Sequence, residues 1–142
     1  MVLTAEGPKV IEIAPRLSGG WFCTDQIPLS TGVELVGNAF KITLGLKVDP
    51  ENIIPRKRHG VAIRYFFPEF GKIKSIEGVE QFEKISWVHQ LKFFVEPGDT
   101  IESISDHTKR GGFVITTGET RAIAVERAES VVREIKINMT QA

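Results

Sequence analysis

The stretch "KVDPENIIPRKRHG", Lys47–Gly60, constrains the fold most, because it is a polar, proline-marked connection between two different hydrophobic patterns. Before it, one short apolar strand pattern is followed by one helical pattern. After it, short strands follow one another between glycines and prolines. We therefore predict two structural units, residues 1–49 and 61–142, joined by a linker at residues 50–60.

The first unit opens with a predicted hairpin. "KVIEI", Lys9–Ile13, is rich in β-branched residues and predicts a strand, and the Gly7-Pro8 pair before it marks a turn. Val2 and Leu3 are then expected to be the end of a preceding strand. Because so little of that strand is present, we interpret the chain as the later part of a longer protein.

A helix is predicted next, over Ser30–Gly45, "STGVELVGNAFKITLG". Thr31 and Glu34 have the spacing of a capping box, and Gly45 suits the left-handed position that follows the last helical turn. The predicted apolar face recurs near the helical period and consists of Val33, Val36, Phe40 and Leu44.

The second unit is predicted to contain short strands followed by a helix. The strand patterns are Gly60–Phe67, Gly71–Gly78, Trp87–Val95 and Gly111–Thr117, with one or two helical turns at Val79–Ile85. The tail Gly118–Ile137 predicts a helix whose buried stripe consists of Ala124, Ala128, Val131 and Ile135. Glu129 and Arg133 are predicted to form a favourable i, i+4 ion pair on this helix.

Composition argues against several classes of partner. The 142 residues contain 18 Lys plus Arg and 18 Asp plus Glu, so no positive excess favours nucleic acid. No apolar run approaches the roughly 20 residues that span a bilayer, and "MVLTAEGPK" lacks the pattern of a secretory signal. The single cysteine, Cys23, allows no intrachain disulfide. We predict a cytoplasmic protein, in which the sequon at Asn138 is a chance match.

The most suggestive residues for chemistry lie in "EIAPRLSGG". Glu12 is a carboxylate in an apolar strand pattern, which is costly to bury unless it is paired or binds a cation such as Mg²⁺. Arg16 has a planar guanidinium that suits a carboxylate or a phosphate. Ser18, Gly19 and Gly20 would let a ligand approach backbone N–H groups closely. Together they predict an anion-plus-metal site.

The same residues also have a purely structural interpretation. Glu12 would face solvent on a half-buried strand, Arg16 would pair with it, and the glycines would only turn the chain. From spacing alone this interpretation is favoured, because short motifs often match by chance.

A family resemblance favours the functional interpretation. "GPKVIEIAPRLSGG" resembles the closing segment of the ATP-grasp fold, a strand carrying E-I-N-P-R and then glycines, and "IPLSTGVELVGNAFKITLG" resembles the helix that follows. Residues 58–78 and 95–132 resemble the C-terminal domain of ATP-grasp ligases of the L-amino acid ligase type and, more distantly, that of biotin carboxylases. The resemblance implies an α+β fold: the end of an ATP-grasp domain, then a small antiparallel β domain with a C-terminal helix.

The resemblance also implies roles for individual residues. Glu12 matches a magnesium ligand that bridges the phosphates of ATP, and Arg16 matches the arginine that stabilises the acyl phosphate and the incoming substrate. Gly19 matches a position whose backbone holds that intermediate, and Gly20 lies where the family lines the acceptor pocket. Ser18 belongs to the same substrate-binding set.

The sequence departs from the family pattern in two respects. Ala14 stands where many ATP-grasp enzymes have an asparagine that supplies a metal oxygen, and alanine cannot coordinate. The adenine pocket, the phosphate lysines and a second metal carboxylate belong to earlier parts of the family's chain and are absent from this sequence. We therefore expect Mg²⁺ and ATP as cofactors of a parent enzyme, with neither bound by the isolated chain.

Two functions follow. The first is the C-terminal fragment of an ATP-dependent carboxylate–amine ligase, inactive in isolation, whose partners are a small-molecule substrate and the missing N-terminal ATP-grasp part. The alternative is a non-catalytic binding or assembly module that retains the ATP-grasp tail and forms a homodimer through the exposed N-terminal hairpin edge.

Other candidate residues favour structural roles. His59 follows "PRKR" and is interpreted as part of a solvated basic linker, and His89 as a solvent-facing or packing residue of a strand. Asp106 and His107 precede a strand in a loop, where a turn-forming role is favoured over chemistry. Cys23 has no activating partner nearby in sequence, and no residues have zinc-ligand spacing.

Overall fold

The computed structural model describes residues 1–102 and 109–140. The regular elements are, in chain order, β1 (Val2–Thr4), β2 (Gly7–Lys9), a π-helical turn (Phe22–Gln26), α1 (Ile27–Thr31), α2 (Leu35–Thr43), a 3₁₀ turn (Pro50–Ile53), β3 (Gly60–Phe66), β4 (Gly71–Glu77), β5 (Val88–Phe93), β6 (Thr100–Ile101), β7 (Gly112–Gly118), α3 (Arg121–Glu134) and β8 (Lys136–Thr140). Helices combined with antiparallel sheets give the predicted α+β class.

The central sheet is antiparallel and has the strand order β3-β7-β5. β3 and β7 pair along their whole length, with Gly60 opposite Gly118 and Phe66 opposite Gly112. β5 pairs with the other edge of β7. The three strands predicted in these regions are confirmed, with small shifts at their ends.

Helix α3 covers one face of the central sheet. The predicted stripe is confirmed, because Ala124, Ala128, Val131 and Ile135 are buried in one cluster with Ala62, Phe66 and Val114 of the sheet. The Thr116 hydroxyl, fully buried under the helix, donates a 2.7 Å hydrogen bond to the Ala124 carbonyl. The only polar side chain of β7 in this core therefore keeps a partner among the described residues.

Two details of the predicted tail helix are wrong. The helix ends at Glu134, and the chain enters β8 after Ile135, whose backbone is already extended. Glu129 does not pair with Arg133 among the described residues; its carboxylate contacts the Arg64 guanidinium of β3 at 2.9 Å instead. The Arg64 side chain lies beside α3 because the even-numbered residues of β3 face that helix.

The second sheet is also antiparallel and has the order β6-β4-β8. β4, which was predicted, pairs with β8, which was not, so that Lys72 lies opposite Thr140 and Glu77 opposite Lys136. Between the two sheets, the segment predicted as helical turns at Val79–Ile85 forms hydrogen-bonded turns and no regular helix.

A hairpin does form at the N-terminus, but its second strand lies on Gly7–Lys9, where the turn was predicted, and the strand predicted at Lys9–Ile13 is wrong beyond Lys9. β1 and β2 pair with Leu3 opposite Pro8, and β2 ends at Lys9. Residues 10–14 belong to no strand and are exposed. The β-branched pattern of Lys9–Ile13 therefore has no neighbouring strand among the described residues, and a strand forms only where its backbone groups find partners.

The single helix predicted over Ser30–Gly45 is in fact two helices. Gly32 adopts a left-handed conformation with φ of 77° and ends α1, and α2 begins only at Leu35. No capping box forms: the Thr31 hydroxyl accepts from the Val33 N–H at 3.1 Å, and the Glu34 side chain makes no cap. Glycine at this position favours the break, because it lacks the steric penalty of a left-handed residue.

The exposed and buried sides of α2 also differ from the prediction. Phe40 and Leu44 are exposed, whereas the buried residue of the helix is Asn38, whose amide donates to the Asn52 carbonyl at 3.2 Å. Gly45 has the left-handed backbone that was predicted, with φ of 71°. In the described part of the chain, no helix is both long enough and apolar enough to traverse a bilayer.

The second face of the central sheet is covered by the N-terminal region rather than by a helix stripe. The Trp21 ring lies on Phe113 of β7 with ring centroids 3.9 Å apart, and α1 contacts β3. Residues on both sides of the predicted 50–60 linker therefore touch each other, and the division into two units stays a prediction.

Candidate functional site

The segment that carries the predicted site residues is exposed. Glu12, Arg16, Ser18, Gly19 and Gly20 all have exposed side chains or backbones. The Arg16 N–H donates to the Ala14 carbonyl at 2.8 Å, which closes a tight turn at the proline between them. The turn leaves both charged side chains on the outside of the molecule, where a ligand can reach them.

Glu12 and Arg16 do not neutralise each other. Within residues 1–102 and 109–140, no ion pair joins these two side chains or engages either of them. The pairing on which the purely structural interpretation depends is thus not formed among these residues. Both groups remain available to a ligand.

Buried Cys23 holds the backbone of the exposed segment at Ser18. Its thiol is buried, and its sulfur accepts a hydrogen bond from the Ser18 N–H at 3.1 Å. The sequence suggested no function for this cysteine. Its position now assigns it a supporting one, because it holds the backbone immediately before the two glycines.

The turn after Ser18 is built from two consecutive left-handed residues. Gly20 has φ of 65° and Trp21 has φ of 60°, and Trp21 is the one non-glycine residue with positive φ among those described. A left-handed backbone costs a bulky residue roughly 1–2 kcal/mol. The stacking of Trp21 on buried Phe113 and on Phe94 offsets that cost, since aromatic contacts add to the area they bury.

A π-helical turn follows Trp21 directly. The N–H groups of Asp25 and Gln26 both donate to the Trp21 carbonyl, at 3.2 and 3.0 Å. The Asp25 carboxylate contacts His89 Nε2 of β5 at 3.0 Å. These contacts tie the glycine turn to the central sheet, so its backbone has a defined geometry despite its exposure.

Two residues that the sequence did not single out also reach this turn. Tyr65 of β3 lies close to Gly20, because a Cβ built on Gly20 would be 3.5 Å from the Tyr65 hydroxyl oxygen. The Arg110 guanidinium carbon lies 3.9 Å from the centre of the Tyr65 ring. Neither residue is near Gly20 in sequence: the pairing of β3 with β7 brings Tyr65 and Arg110 together, and the packing of Trp21 on Phe113 brings the Gly20 turn to them. The odd-numbered alternation along β3 is the signal that would have found Tyr65.

The remaining candidate residues either make structural contacts or lie outside the described residues. His59 donates its backbone N–H to the Ser30 carbonyl at 3.1 Å, so the basic connection lies along the end of α1. Asp106 and His107 lie outside the described residues. Across the residues the structure does cover, no three His, Cys, Asp or Glu side chains gather as a metal site.

Glu12 fits a magnesium ion only as one ligand among several. Mg²⁺ commonly takes one or two protein carboxylates and fills its other positions with phosphate oxygens and water. Glu12 is exposed and has no ion-pair partner in the described chain, so its carboxylate matches that requirement. The remaining ligands would have to come from a nucleotide or from other residues.

Comparison with known proteins identifies the family. The family model of the L-amino acid ligase C-terminal domain 2 matches residues 64–140, which is more than half of the 142 residues. The chain belongs to this family. The predicted resemblance to the C-terminal portion of ATP-grasp ligases of the L-amino acid ligase type is therefore confirmed.

Individual relatives agree with the family match. A Sinorhizobium fredii protein described as "Uncharacterized protein y4rH" is 28% identical over 133 residues, which cover 93% of this chain and 27% of the relative. The crystal structure of phosphoribosylglycinamide synthetase from Anaerococcus prevotii superposes with a TM-score of 0.78 at 16% identity, over 98% of this chain and 35% of that one. The crystal structure of L-amino acid ligase from Bacillus licheniformis superposes with a TM-score of 0.75 at 19% identity, over 95% of this chain and 33% of that one.

The chain spans about a third, or less, of the length of each of these relatives. At such identities the solved structures establish the fold alone. The family match begins at Arg64, so it does not include the segment from Glu12 to Gly20. The roles of those residues remain predictions.

Proposed function

We propose that the chain is the C-terminal part of an ATP-dependent carboxylate–amine ligase acting on amino acids or peptide-like molecules. The match of residues 64–140 to the L-amino acid ligase C-terminal domain 2 carries this proposal. In the proposed reaction a substrate carboxylate oxygen attacks the γ-phosphorus of ATP, and ADP leaves. The amine nitrogen then attacks the acyl carbon and loses a proton, and inorganic phosphate departs with the electrons of the broken C–O bond.

Arg16 is the proposed catalytic residue. Its guanidinium is exposed beside a tight turn and has no ion-pair partner among the described residues. Negative charge accumulates on the acyl phosphate and on the tetrahedral intermediate that the amine creates. A planar fork of donors stabilises such oxygens more effectively than a point charge does.

The adjacent backbone supports the same role. In the described part of the chain, the N–H groups of Gly19 and Gly20 make no backbone hydrogen bond, whereas the Ser18 N–H is held by Cys23. Two neighbouring N–H groups without a carbonyl partner suit an anionic oxygen, and glycine lets that oxygen approach closely. Ser18, Gly19 and Gly20 are thus the proposed substrate-binding turn.

Glu12 is the proposed magnesium ligand. A magnesium ion bound there would neutralise phosphate charge during the transfer from ATP. The task of Glu12 itself is to hold that charge close to the turn that carries Arg16, because both residues belong to one short exposed segment.

An N-terminal ATP-grasp part is the proposed partner. Ile11 and Ile13 flank Glu12 and are 72% and 81% exposed, and Leu17 is exposed as well. Apolar side chains on both sides of a catalytic carboxylate favour a covered segment in the working enzyme, since burial of each contributes roughly 1.5–3 kcal/mol. The isolated chain is therefore proposed to be inactive. A cytoplasmic location belongs to the proposal, because the single cysteine is free.

One observation favours the alternative of an assembly module. The β1–β2 hairpin is exposed except at partly buried Gly7, with Leu3 83% exposed, and β1 presents an unpaired edge among the described strands. Such an edge is able to pair with a second copy. A homodimer that persists without ATP, and disappears when residues 1–9 are removed, would support this alternative.

The test of the ligase proposal uses the chain together with an N-terminal ATP-grasp part, in one polypeptide or as two. ADP release is followed with Mg²⁺, ATP and amino-acid pairs. Arg16→Lys should lower the amine-dependent rate by about 100-fold, as expected for the loss of a transition-state donor. Glu12→Gln should shift the Mg²⁺ dependence to higher concentrations, because an amide lacks the charge that holds the ion.

Matched controls separate catalysis from folding. Arg58→Lys and Glu80→Gln make the same chemical changes at exposed positions away from the glycine turn and should leave the rate unchanged. All four variants should keep the melting temperature, since Glu12 and Arg16 are exposed. A fall in melting temperature with the rate preserved would assign Glu12 and Arg16 to the scaffold and overturn their proposed roles.

A further inference from the structure

We propose that Arg110, held against the ring of Tyr65, binds a carboxylate of the amine substrate beside the Gly20 turn. This inference rests on the proposed ligase function and adds a subsite supplied by the C-terminal β domain. Arg110 precedes β7 and Tyr65 lies on β3, so the subsite is built from the central sheet rather than from the segment that carries Arg16.

Stacking prepares the Arg110 guanidinium for this task. Its central carbon lies over the Tyr65 ring, 3.9 Å from the ring centroid, which is a close cation–π contact. The N–H donors of a guanidinium point outward in its own plane, and stacking leaves them available. The ring also restricts the rotamers of a long side chain, so less conformational entropy is lost when a carboxylate binds.

The location connects this guanidinium to the proposed reacting centre. The Tyr65 hydroxyl lies 3.5 Å from the position of a Cβ on Gly20, the residue that precedes Trp21. Tyr65 and Arg110 are both half-buried, which strengthens a charge-assisted hydrogen bond relative to one made in open water. A carboxylate held by Arg110 is thus linked to the turn through Tyr65.

A cavity beside Arg110 has room for the rest of a small substrate. It has a volume of about 250 Å³, and its described lining includes apolar Phe94, Val95 and Ile101 together with Lys109, Arg110 and Glu102. Pockets for drug-sized ligands usually measure roughly 300–1,000 Å³, so this one suits a smaller molecule such as an amino acid. Lys109 and Arg110, in the described part of its lining, supply positive charge that suits an anionic group.

The carboxylate has two chemical sources. It is either the α-carboxylate that every amino-acid amine substrate carries or the side-chain carboxylate of an acidic one. Three probes distinguish them: alanine has only the first, glutamate has both, and alaninamide has neither. The 142-residue chain itself is titrated with each probe, while amide and indole NMR signals of Gly20 and Trp21 are followed.

Alanine and glutamate should shift these signals, and alaninamide should not, if the α-carboxylate is bound. A response to glutamate alone assigns the side-chain carboxylate. Arg110→Leu should weaken either response by about tenfold or more, the expected loss for a hydrogen bond between charged groups. Arg58→Leu, an equal change in the exposed basic connection, should have no effect.

Variants of Tyr65 test the role of stacking. Tyr65→Phe keeps the ring and should retain binding, whereas Tyr65→Leu removes it and should weaken binding with the charge of Arg110 unchanged. Equal responses of wild type and Arg110→Leu to all three probes, or no response to any, would overturn the proposed subsite.

A second readout keeps the subsite distinct from the ligase function. In the assembled ligase, Arg110→Leu should raise the KM for the amine about tenfold and leave the KM for ATP unchanged. An active ligase whose amine KM is unaffected refutes the subsite alone. Carboxylate binding to the 142-residue chain, combined with no ligase activity when the N-terminal ATP-grasp part is present, refutes the proposed function alone.

Discussion

The two faces of the β3-β7-β5 sheet are covered in different ways. On one face, small and branched side chains of α3 pack at regular spacing on the strands, and Val114 beneath them is 0% exposed. On the other face, Phe113 is equally buried, but its cover is the single ring of Trp21 on a strained turn, with half-exposed Phe94 beside it. The helix face is covered by one regular element, and the turn face carries the exposed glycine turn for which we propose substrate binding.

Glycines show the same difference. Under α3, Gly60 is required by close packing, because a Cβ there would lie 2.0 Å from the Thr120 carbonyl oxygen. On the turn face, Gly20 is required by its left-handed backbone, and the nearest atom to its Cβ position is 3.5 Å away. The first glycine brings two elements into contact. The second keeps a turn open beside Tyr65.

The largest predicted effect is on the helix face. Gly60→Ala should cost about 3 kcal/mol or more of unfolding free energy, because the new methyl group meets backbone atoms of Thr120 and Arg121 that cannot move alone. Urea denaturation measures the cost. Gly37→Ala is the matched control: it lies inside α2 with no atom within 4 Å, so it should stabilise the chain by about 0.5–1 kcal/mol. A Gly60 variant as stable as wild type would show that the close packing of Gly60 against the start of α3 does not contribute to stability.

The next effect concerns the turn face. Trp21→Ala should cost about 2–3 kcal/mol, below the roughly 3–5 kcal/mol of a fully buried aromatic residue, because Trp21 is only half-buried. Trp21→Gly should cost about 1 kcal/mol less than Trp21→Ala, since glycine adopts a φ of 60° without penalty. Chemical denaturation of both variants gives the order. The opposite order would mean that the left-handed backbone of Trp21 carries no strain.

The smallest predicted effect concerns the ion pair between Arg64 of β3 and Glu129 of α3. A double-mutant cycle on Arg64 and Glu129 should give a coupling of about 0.5 kcal/mol, because both side chains of this 2.9 Å pair are substantially exposed. The coupling should decrease as salt is added. The same cycle on Glu129 and Arg133 should give none, since these two do not pair among the described residues. A larger coupling in the second cycle would restore the i, i+4 pair expected from spacing.

The helix face is also the part that sequence patterns predict well. The recurrence of Ala124, Ala128 and Val131 reports directly which side of α3 is buried, and it does so because one regular element supplies the whole surface. β3, β4, β5 and β7 were found for a similar reason, since each is bounded by glycine, proline or turn residues.

The turn face shows where such patterns fail. The apolar residues of Lys9–Ile13 predicted a strand, but a strand needs a pairing partner, and none of the described strands accompanies residues 10–14. The helical period of Ser30–Gly45 did not reveal the break at Gly32, because backbone conformation there outweighs the spacing of Val33 and Phe40.

For the same reason, the sequence predicted only part of the candidate site. Glu12, Arg16 and the glycines are close in sequence, so a short motif reveals them. Tyr65 and Arg110 are distant from them in sequence and come together only through the pairing of β3 with β7. Local periodicity cannot identify residues that meet through strand register, although it indicates which face of a strand they occupy.

The pairing of β4 with β8 has a consequence for biosynthesis. Lys72 lies opposite Thr140, so the second sheet joins segments that lie far apart in the sequence. While the ribosome completes β5, β7 and α3, one edge of β4, which carries Ile73 and Ile76, lacks its partner and is able to pair with other nascent chains. The lysines at positions 72 and 74 oppose that encounter through charge repulsion until β8 emerges. Expression at low temperature or with chaperones should therefore improve the yield of folded protein more than any change at the exposed glycine turn.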